Sequence, residues 1–356
     1  MTDILRIDVL SLFDLDFKGE GIARSTLKVL KDTPQREDFS SRFAESFAWI
    51  FYGSSLPGCQ RFSFGPPSGI KNNVEGVSVL INPEYGAGVY SVWHKFNGNE
   101  HPLSRRKEAG EKSEEDLMFL ETFGLSQKGE RNYPFIGIRV NTSDVGKYCA
   151  EHAVELGRVF TGNPEKENKA QLEAYIRENL SRREYEQLFL RWTEGLGVYA
   201  SNIDEDMDEK YNEKMYEKSL FRAVQIFEIC ILVRRLLRNI TETADDLSGR
   251  LSMVIPRPFA VNRLSQTFLE VQRVLVSGPP VQSVEAERLL RTAYRSFGIN
   301  ALVDSTRQSC DFLERRFQWV KTQFLVAIGI ITYLLDKLNL FADLRRICEA
   351  LLTRWR

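Results

Sequence analysis

The chain has 356 residues, 43% of them hydrophobic and 11% aromatic, with 48 basic residues against 49 acidic ones. That length predicts more than one compact unit with ample apolar material for a core, and the charge balance excludes a global electrostatic pull toward nucleic acid. Cys59, Cys149, Cys230, Cys310 and Cys348 are odd in number and scattered without a C-x-x-C pair, so neither a disulfide framework nor a zinc site is expected, and a reducing, cytosol-facing location fits.

The opening stretch MTDILRIDVLSLFDLDF carries Asp3 and Asp8 where a secretory signal would carry a basic segment, so export is not expected. Ile4 to Phe13, Val77 to Ile81, Val89 to Phe96 and Pro134 to Val140 are short β-branched or aromatic runs bounded by Gly, Pro and Asn, which predicts the strands of a small sheet. The segment Asn82-Pro83-Glu84-Tyr85-Gly86-Ala87-Gly88 joins two of them as a hairpin. Helices are predicted around Phe39 to Phe51, and from Ser113, where S-E-E-D has capping-box spacing, to Gly124. Between them His101 to Lys112 is charged and turn-rich, which reads as an exposed loop.

From Thr142 onward the apolar period becomes helical. Thr142 or Ser143 caps a helix ending at Gly162, a second helix runs from Pro164 to Leu180, and a third begins at Ser181 and fades near Gly195. After the acidic loop SNIDEDMDEK, Tyr211 to Ile240 reads as one helix of about 45 Å. Its predicted buried stripe is Ala223, Ile226, Cys230, Val233, Leu237 and Ile240. A shorter helix follows Pro258, and Gly278-Pro279-Pro280 precedes the last helical region. The fold class expected is α+β, with a mixed α/β domain over 1–141, a helical domain over 142–282, and over 283–356 a long coiled-coil-like stalk helix with an apolar segment and a basic tail.

That last region holds the strongest pattern in the sequence. From Ile299, steps of four and three reach Val303, Thr306, Cys310, Leu313, Phe317, Val320, Phe324, Ala327, Ile331, Leu334, Leu338 and Phe341, a heptad seam held for six heptads. A period of 3.5 sustained this long predicts a left-handed supercoil, and homo-oligomerisation through Leu313, Phe317, Val320, Phe324, Ala327, Ile331, Leu334 and Leu338 follows. Beyond Lys321 the charges stop, and from Phe324 to Leu335 the helix is apolar on every side, so protein or lipid must surround it. Those twelve residues cover only about 18 Å of a hydrocarbon core of about 30 Å. Counted from Phe317, nineteen residues reach Leu335, with Trp319 and Tyr333 placed as interfacial anchors and Lys321 able to snorkel outward. Gln318, Gln323 and the Asp336-Lys337 pair argue for a protein enclosure instead.

A mixed α/β domain, a long helix, and then a longer heptad-patterned helix running into an apolar segment resembles the CorA-like family of magnesium channels. The likeness covers the order of elements, most clearly Tyr211 to Ile240 and Ile299 to Leu335. In that family the stalk helices of five subunits converge and continue into the membrane as pore helices. The family's Gly-Met-Asn tripeptide is absent here, since Leu, Asp, Lys and Ser precede Met118, Met207, Met215 and Met253, and there is no second apolar run. What the resemblance implies is a stalk-forming oligomer.

No catalytic constellation emerges, and neither an enzyme nor a cofactor is expected. Gly19-Glu20-Gly21 lacks a third glycine, Gly86-Ala87-Gly88 precedes a strand, and no Walker sequence occurs. Cys149 and His152 lie three apart without a third member, and His94 sits on a strand face with Tyr90 and Val92. Asp204, Asp206 and Asp208 alternate like the first ligands of a calcium loop, but Glu209 and Met215 stand where that loop needs Gly and Glu, leaving a solvated acidic loop or a weak divalent site shared with another subunit. No aromatic-rich basic surface suggests nucleic acid. The expectation is a membrane-associated oligomer at the cytoplasmic face, channel-like or membrane-perturbing, with an N-terminal domain sensing an unidentified ligand. The alternative is a soluble cytoplasmic oligomeric scaffold with the apolar helix buried in its core.

Overall fold

The computed structural model describes residues 3–16, 20–34, 59–66, 73–83, 86–99, 101–111, 127–162, 167–191, 193–203, 206–250, 258–277 and 284–337. The predicted helices at Phe39 to Phe51 and Ser113 to Gly124 lie outside these residues. The chain divides into two compact units, Met1–Arg238 with Glu270–Val303, and Asn239–Leu269 with Asp304–Arg356.

The first unit is built on a seven-stranded sheet. Its strands are β1 (Ile4–Asp16), β2 (Gln60–Phe64), β3 (Val74–Asn82), β4 (Ala87–Asn97), β5 (Gln127–Val140), β6 (Glu186–Arg191) and β7 (Glu194–Ala200), in the spatial order β2-β3-β4-β1-β5-β7-β6. Every pairing is antiparallel except β5 with β7. The predicted hairpin joins β3 to β4, with Asn82 opposite Ala87.

Along β1 the period of two separates two faces. Ile7, Val9, Phe13 and Leu15 enter apolar clusters on one face. That face is covered by α1 (Glu20–Asp32), α2 (Pro102–Glu111), α3 (Val145–Glu151), α4 (Ala153–Thr161) and α5 (Lys169–Tyr175), which supply Leu30, Ala109, Cys149, Val159 and Leu172 to the core. Arg6, Asp8 and Asp14 point to the other face, which meets the part of α6 (Glu209–Arg250) that belongs to this unit, through Tyr216 and Arg235. The stripe Ala223, Ile226, Cys230, Val233, Leu237 and Ile240 of α6 is buried, as its spacing predicts.

α6 comes close to the sheet because glycines leave room for it. A Cβ on Gly137 would stand 2.7 Å from Leu220 Cδ1, and one on Gly195 would stand 2.6 Å from Phe227 Cζ. Both glycines face α6, in neighbouring strands β5 and β7.

Three local expectations are corrected. Residues 102–111, expected as part of an exposed loop, form a helix: α2 starts on Pro102, whose missing N–H costs nothing at a first helical position, and Arg105, Arg106 and Glu108 are paired. Arg105 pairs with Glu108, and Arg106 reaches the Val159 carbonyl at 2.6 Å and Glu194 at 2.9 Å. The helix expected from Pro164 to Leu180 is only α5, capped by Asn168 and Gln171 in a capping box. The helix expected from Ser181 to Gly195 is replaced by β6 and β7. Pairing with β5 overrides local preference there, because it buries Leu188, Phe189, Leu196 and Val198 in the sheet layers. A boundary at residue 141 therefore cuts through the sheet, and the segment 142–282 is not purely helical.

The remaining helices are α7 (Pro258–Val271), continued by a π-helical turn over Gln272–Ser277, α8 (Val284–Ser296) and α9 (Ile299–Lys337). Gly298, with φ of 67°, turns the chain between α8 and α9, so the single stalk helix expected over 283–356 is broken there and the long helix begins only at Ile299. The fold is α+β, a sheet followed by long helices.

Candidate functional site

Within the second unit, the end of α6 and the middle of α9 run side by side. The Thr241 and Thr306 hydroxyls lie 2.9 Å apart, and Arg316 Nη1 donates to Ser248 Oγ at 3.2 Å. Both contacts advance together along the two helices, so the pairing is parallel. Ala244 and Thr306 are fully buried, as are Cys310 and Leu313 nearly so. The predicted seam is thus occupied within the chain as far as Phe317, which is 8% exposed.

Past that point the cover is gone. α6 ends at Arg250, while α9 continues to Lys337. Trp319, Phe324, Leu325, Val326, Ile328, Ile330, Ile331, Tyr333 and Leu334 are 44 to 64% exposed, on every side of the helix. No charged residue stands between Lys321 and Asp336. By length and composition, α9 contains a stretch able to cross a membrane, and almost none of that stretch is buried.

The predicted oligomerisation residues therefore fall into two groups. Leu313 and Phe317 pack inside the chain, and Val320 is half-buried. Phe324, Ala327, Ile331 and Leu334 are exposed, and Leu338 lies outside the described residues. Trp319, Lys321 and Tyr333, the predicted interfacial residues, are exposed.

The acidic loop resolves differently. Asp208 caps α6, its carboxylate accepting from the Tyr211 N–H at 2.8 Å. Asp206 is exposed, and Asp204 lies outside the described residues. Among the described residues no three His, Cys, Asp or Glu side chains are grouped to hold a metal ion. Nor do Cys149 and His152 form a pair for catalysis: His152 Nδ1 engages Glu155 at 3.1 Å, while burial pushes the Cys149 thiol up to about 12, keeping it protonated. His94 is fully buried, its ring stacked on Phe96.

Sequence reasoning missed the charged layer between the sheet and α6. Asp8, fully buried, accepts from Arg6 Nη2 at 3.0 Å, from Trp93 Nε1 at 2.7 Å and from the Tyr216 hydroxyl. Burial, with the Asp8 carboxylate beside it, pushes the Tyr216 hydroxyl well above the ordinary tyrosine value, so it stays a donor. Further along α6, Glu228 takes Arg61 and the Ser91 hydroxyl, the latter at 2.7 Å, and Arg222 pairs with Glu186. Asp14 faces Arg235 at 3.8 Å, and burial raises its carboxyl above the usual range despite that arginine. Buried ion pairs of this kind add little net stability, but removing one partner is costly because it leaves the other charge buried and unpaired. The signal in the sequence was Arg6, Asp8 and Asp14 on one side of an otherwise apolar strand.

No protein-family model, curated protein or solved structure matches the chain.

Proposed function

We propose that this chain is an oligomeric stalk-forming protein whose α9 enters a membrane from the cytoplasmic face, acting there as a channel-like or membrane-perturbing effector while the sheet unit senses a ligand. One observation carries this: the apolar end of α9 is left uncovered on all sides where its in-chain partner stops. An exposed helix hydrophobic all round needs lipid or other copies around it. The stretch Phe317 to Leu335 has nineteen residues, about 28 Å, close to a hydrocarbon thickness. The CorA-like relationship is proposed on the order of elements alone, namely a sheet, a long helix and a longer helix with an apolar end.

A soluble oligomeric scaffold is the alternative, favoured by the shortness of the continuous apolar run, twelve residues from Phe324 to Leu335. Alkaline carbonate washing of membranes from expressing cells decides between the two. Retention in the pellet supports membrane entry. Full release as a defined oligomer by light scattering supports the scaffold, and release as a monomer overturns both.

A further inference from the structure

The cluster side of the sheet unit carries a cleft of about 480 Å³ between α3, α4, α5 and β6. Volumes of this order hold small molecules. Gly146, Ala150 and Ala153 form one wall, and the cleft is open because these side chains are small. Cys149 and Ile176 line its inner surface. Burial holds the Cys149 thiol protonated, so this surface behaves as apolar.

The polar groups of the cleft are three. Glu173 and Arg177 stand one turn apart on and just beyond α5, and Gln187 lies on β6. Glu173 and Arg177 are 3.9 Å apart, and Lys169 reaches the same carboxylate from the preceding turn at 3.8 Å. Both separations are at the outer limit of an ion pair, and the Arg177 side chain is 75% exposed, so the guanidinium is free to turn toward a ligand at little cost.

The lining thus offers one carboxylate, one guanidinium and one amide around an apolar floor. A simple anion would meet Glu173, and a simple cation would meet Arg177. A ligand carrying both charges close together satisfies both groups, replacing a loose ion pair by two charge-assisted hydrogen bonds. We propose that this cleft binds a small zwitterion of the α-amino-acid class, with its carboxylate on Arg177, its ammonium on Glu173 and an apolar side chain against Cys149, Ile176 and Ala150. This deepens the sensor role given above to the sheet unit. Binding is read by calorimetry on detergent-extracted full-length protein and membrane entry by pelleting, so either can fail without the other.

The probe is L-leucine, with isocaproate and isoamylamine as controls that each lack one charge. L-leucine should bind with a measurable heat, and each control at least tenfold more weakly. Glu173→Gln and Arg177→Ala, both at the surface, should each weaken L-leucine roughly tenfold or more, as expected for loss of a hydrogen bond to a charged group. Ala150→Leu, which fills the cleft from an exposed helical position, should abolish binding with the thermal midpoint unchanged. Absence of L-leucine binding, equal binding of either control, or full affinity in Glu173→Gln and Arg177→Ala would each overturn the proposal.

Discussion

The hydroxyls of Thr241 and Thr306 meet at 2.9 Å, and Thr306 is fully buried there. Together with the Arg316–Ser248 contact it shows α6 and α9 to run parallel, and counting one heptad onward from it reaches Ser248 and Leu313, close to where α6 ends. Beyond Phe317, α9 continues for about five further turns to Lys337 without that partner. Its exposed half is therefore the part of the molecule available to lipid or to other copies.

Replacing Ile328 with Arg separates those two surroundings. Ile328 lies off the seam and is 44% exposed. In a bilayer an arginine near the centre costs about 3 kcal/mol, so the variant should leave the carbonate-washed pellet. On the outside of a water-exposed stalk it should change neither solubility nor thermal midpoint.

Val320 and Ile331 lie on the seam beyond the in-chain pairing. In the proposed oligomer, changing both to Asp should give monomer or aggregate, since each would put an unpaired carboxylate on the seam. Light scattering in the same detergent reads the result. An unchanged mass would place the oligomer interface elsewhere.

Asp8→Ala should be among the most destabilising single changes in the sheet unit. It strips the Arg6 guanidinium, the Trp93 N–H and the Tyr216 hydroxyl of a common acceptor, and breaking one side of such a buried pair costs about 3–5 kcal/mol. Chemical denaturation should show a lowered midpoint with an unchanged slope. A loss under about 1 kcal/mol would mean that water, or Glu217, which already accepts from Arg6 Nη1 at 3.1 Å, takes over.

Gly195→Ala tests the close approach of α6. The added carbon would stand 2.4 Å from Phe135 Cδ2 and 2.6 Å from Phe227 Cζ, so one ring has to move. Overpacking of this kind costs about 1–3 kcal/mol. The same change at Gly249, where a Cβ meets nothing within 4 Å, should be neutral or slightly stabilising, because alanine favours the helix.

Asp14 gives the sheet unit a pH dependence of definite sign. Burial raises its carboxyl above the ordinary 3.8, so the folded chain holds this proton more tightly than the unfolded one. The stability associated with Asp14 is then fullest below 3.8 and falls as pH rises through the folded value. Asp14→Asn should flatten that fall above pH 3.8, measured as denaturation midpoint against pH. An unaltered profile would assign the slope to other groups such as Glu194, whose carboxyl burial also raises.

Features whose cause is a local period are legible in the sequence. The stripe of α6, the hairpin between β3 and β4 and the uncharged end of α9 all follow from spacing and turn residues. Spacing says which face of an element is apolar, but not what covers that face. Long-range packing meets the seam of α9 inside the chain up to Phe317 and leaves it bare beyond. It also decided that residues 186–200 pair as strands with β5, because distant partners outweigh local helical preference. Arg6, Asp8 and Asp14 show the same limit. Charges alternating along a strand ordinarily face water, and here they are buried because α6 brings Tyr216 and Arg235 from more than two hundred positions away to hold them.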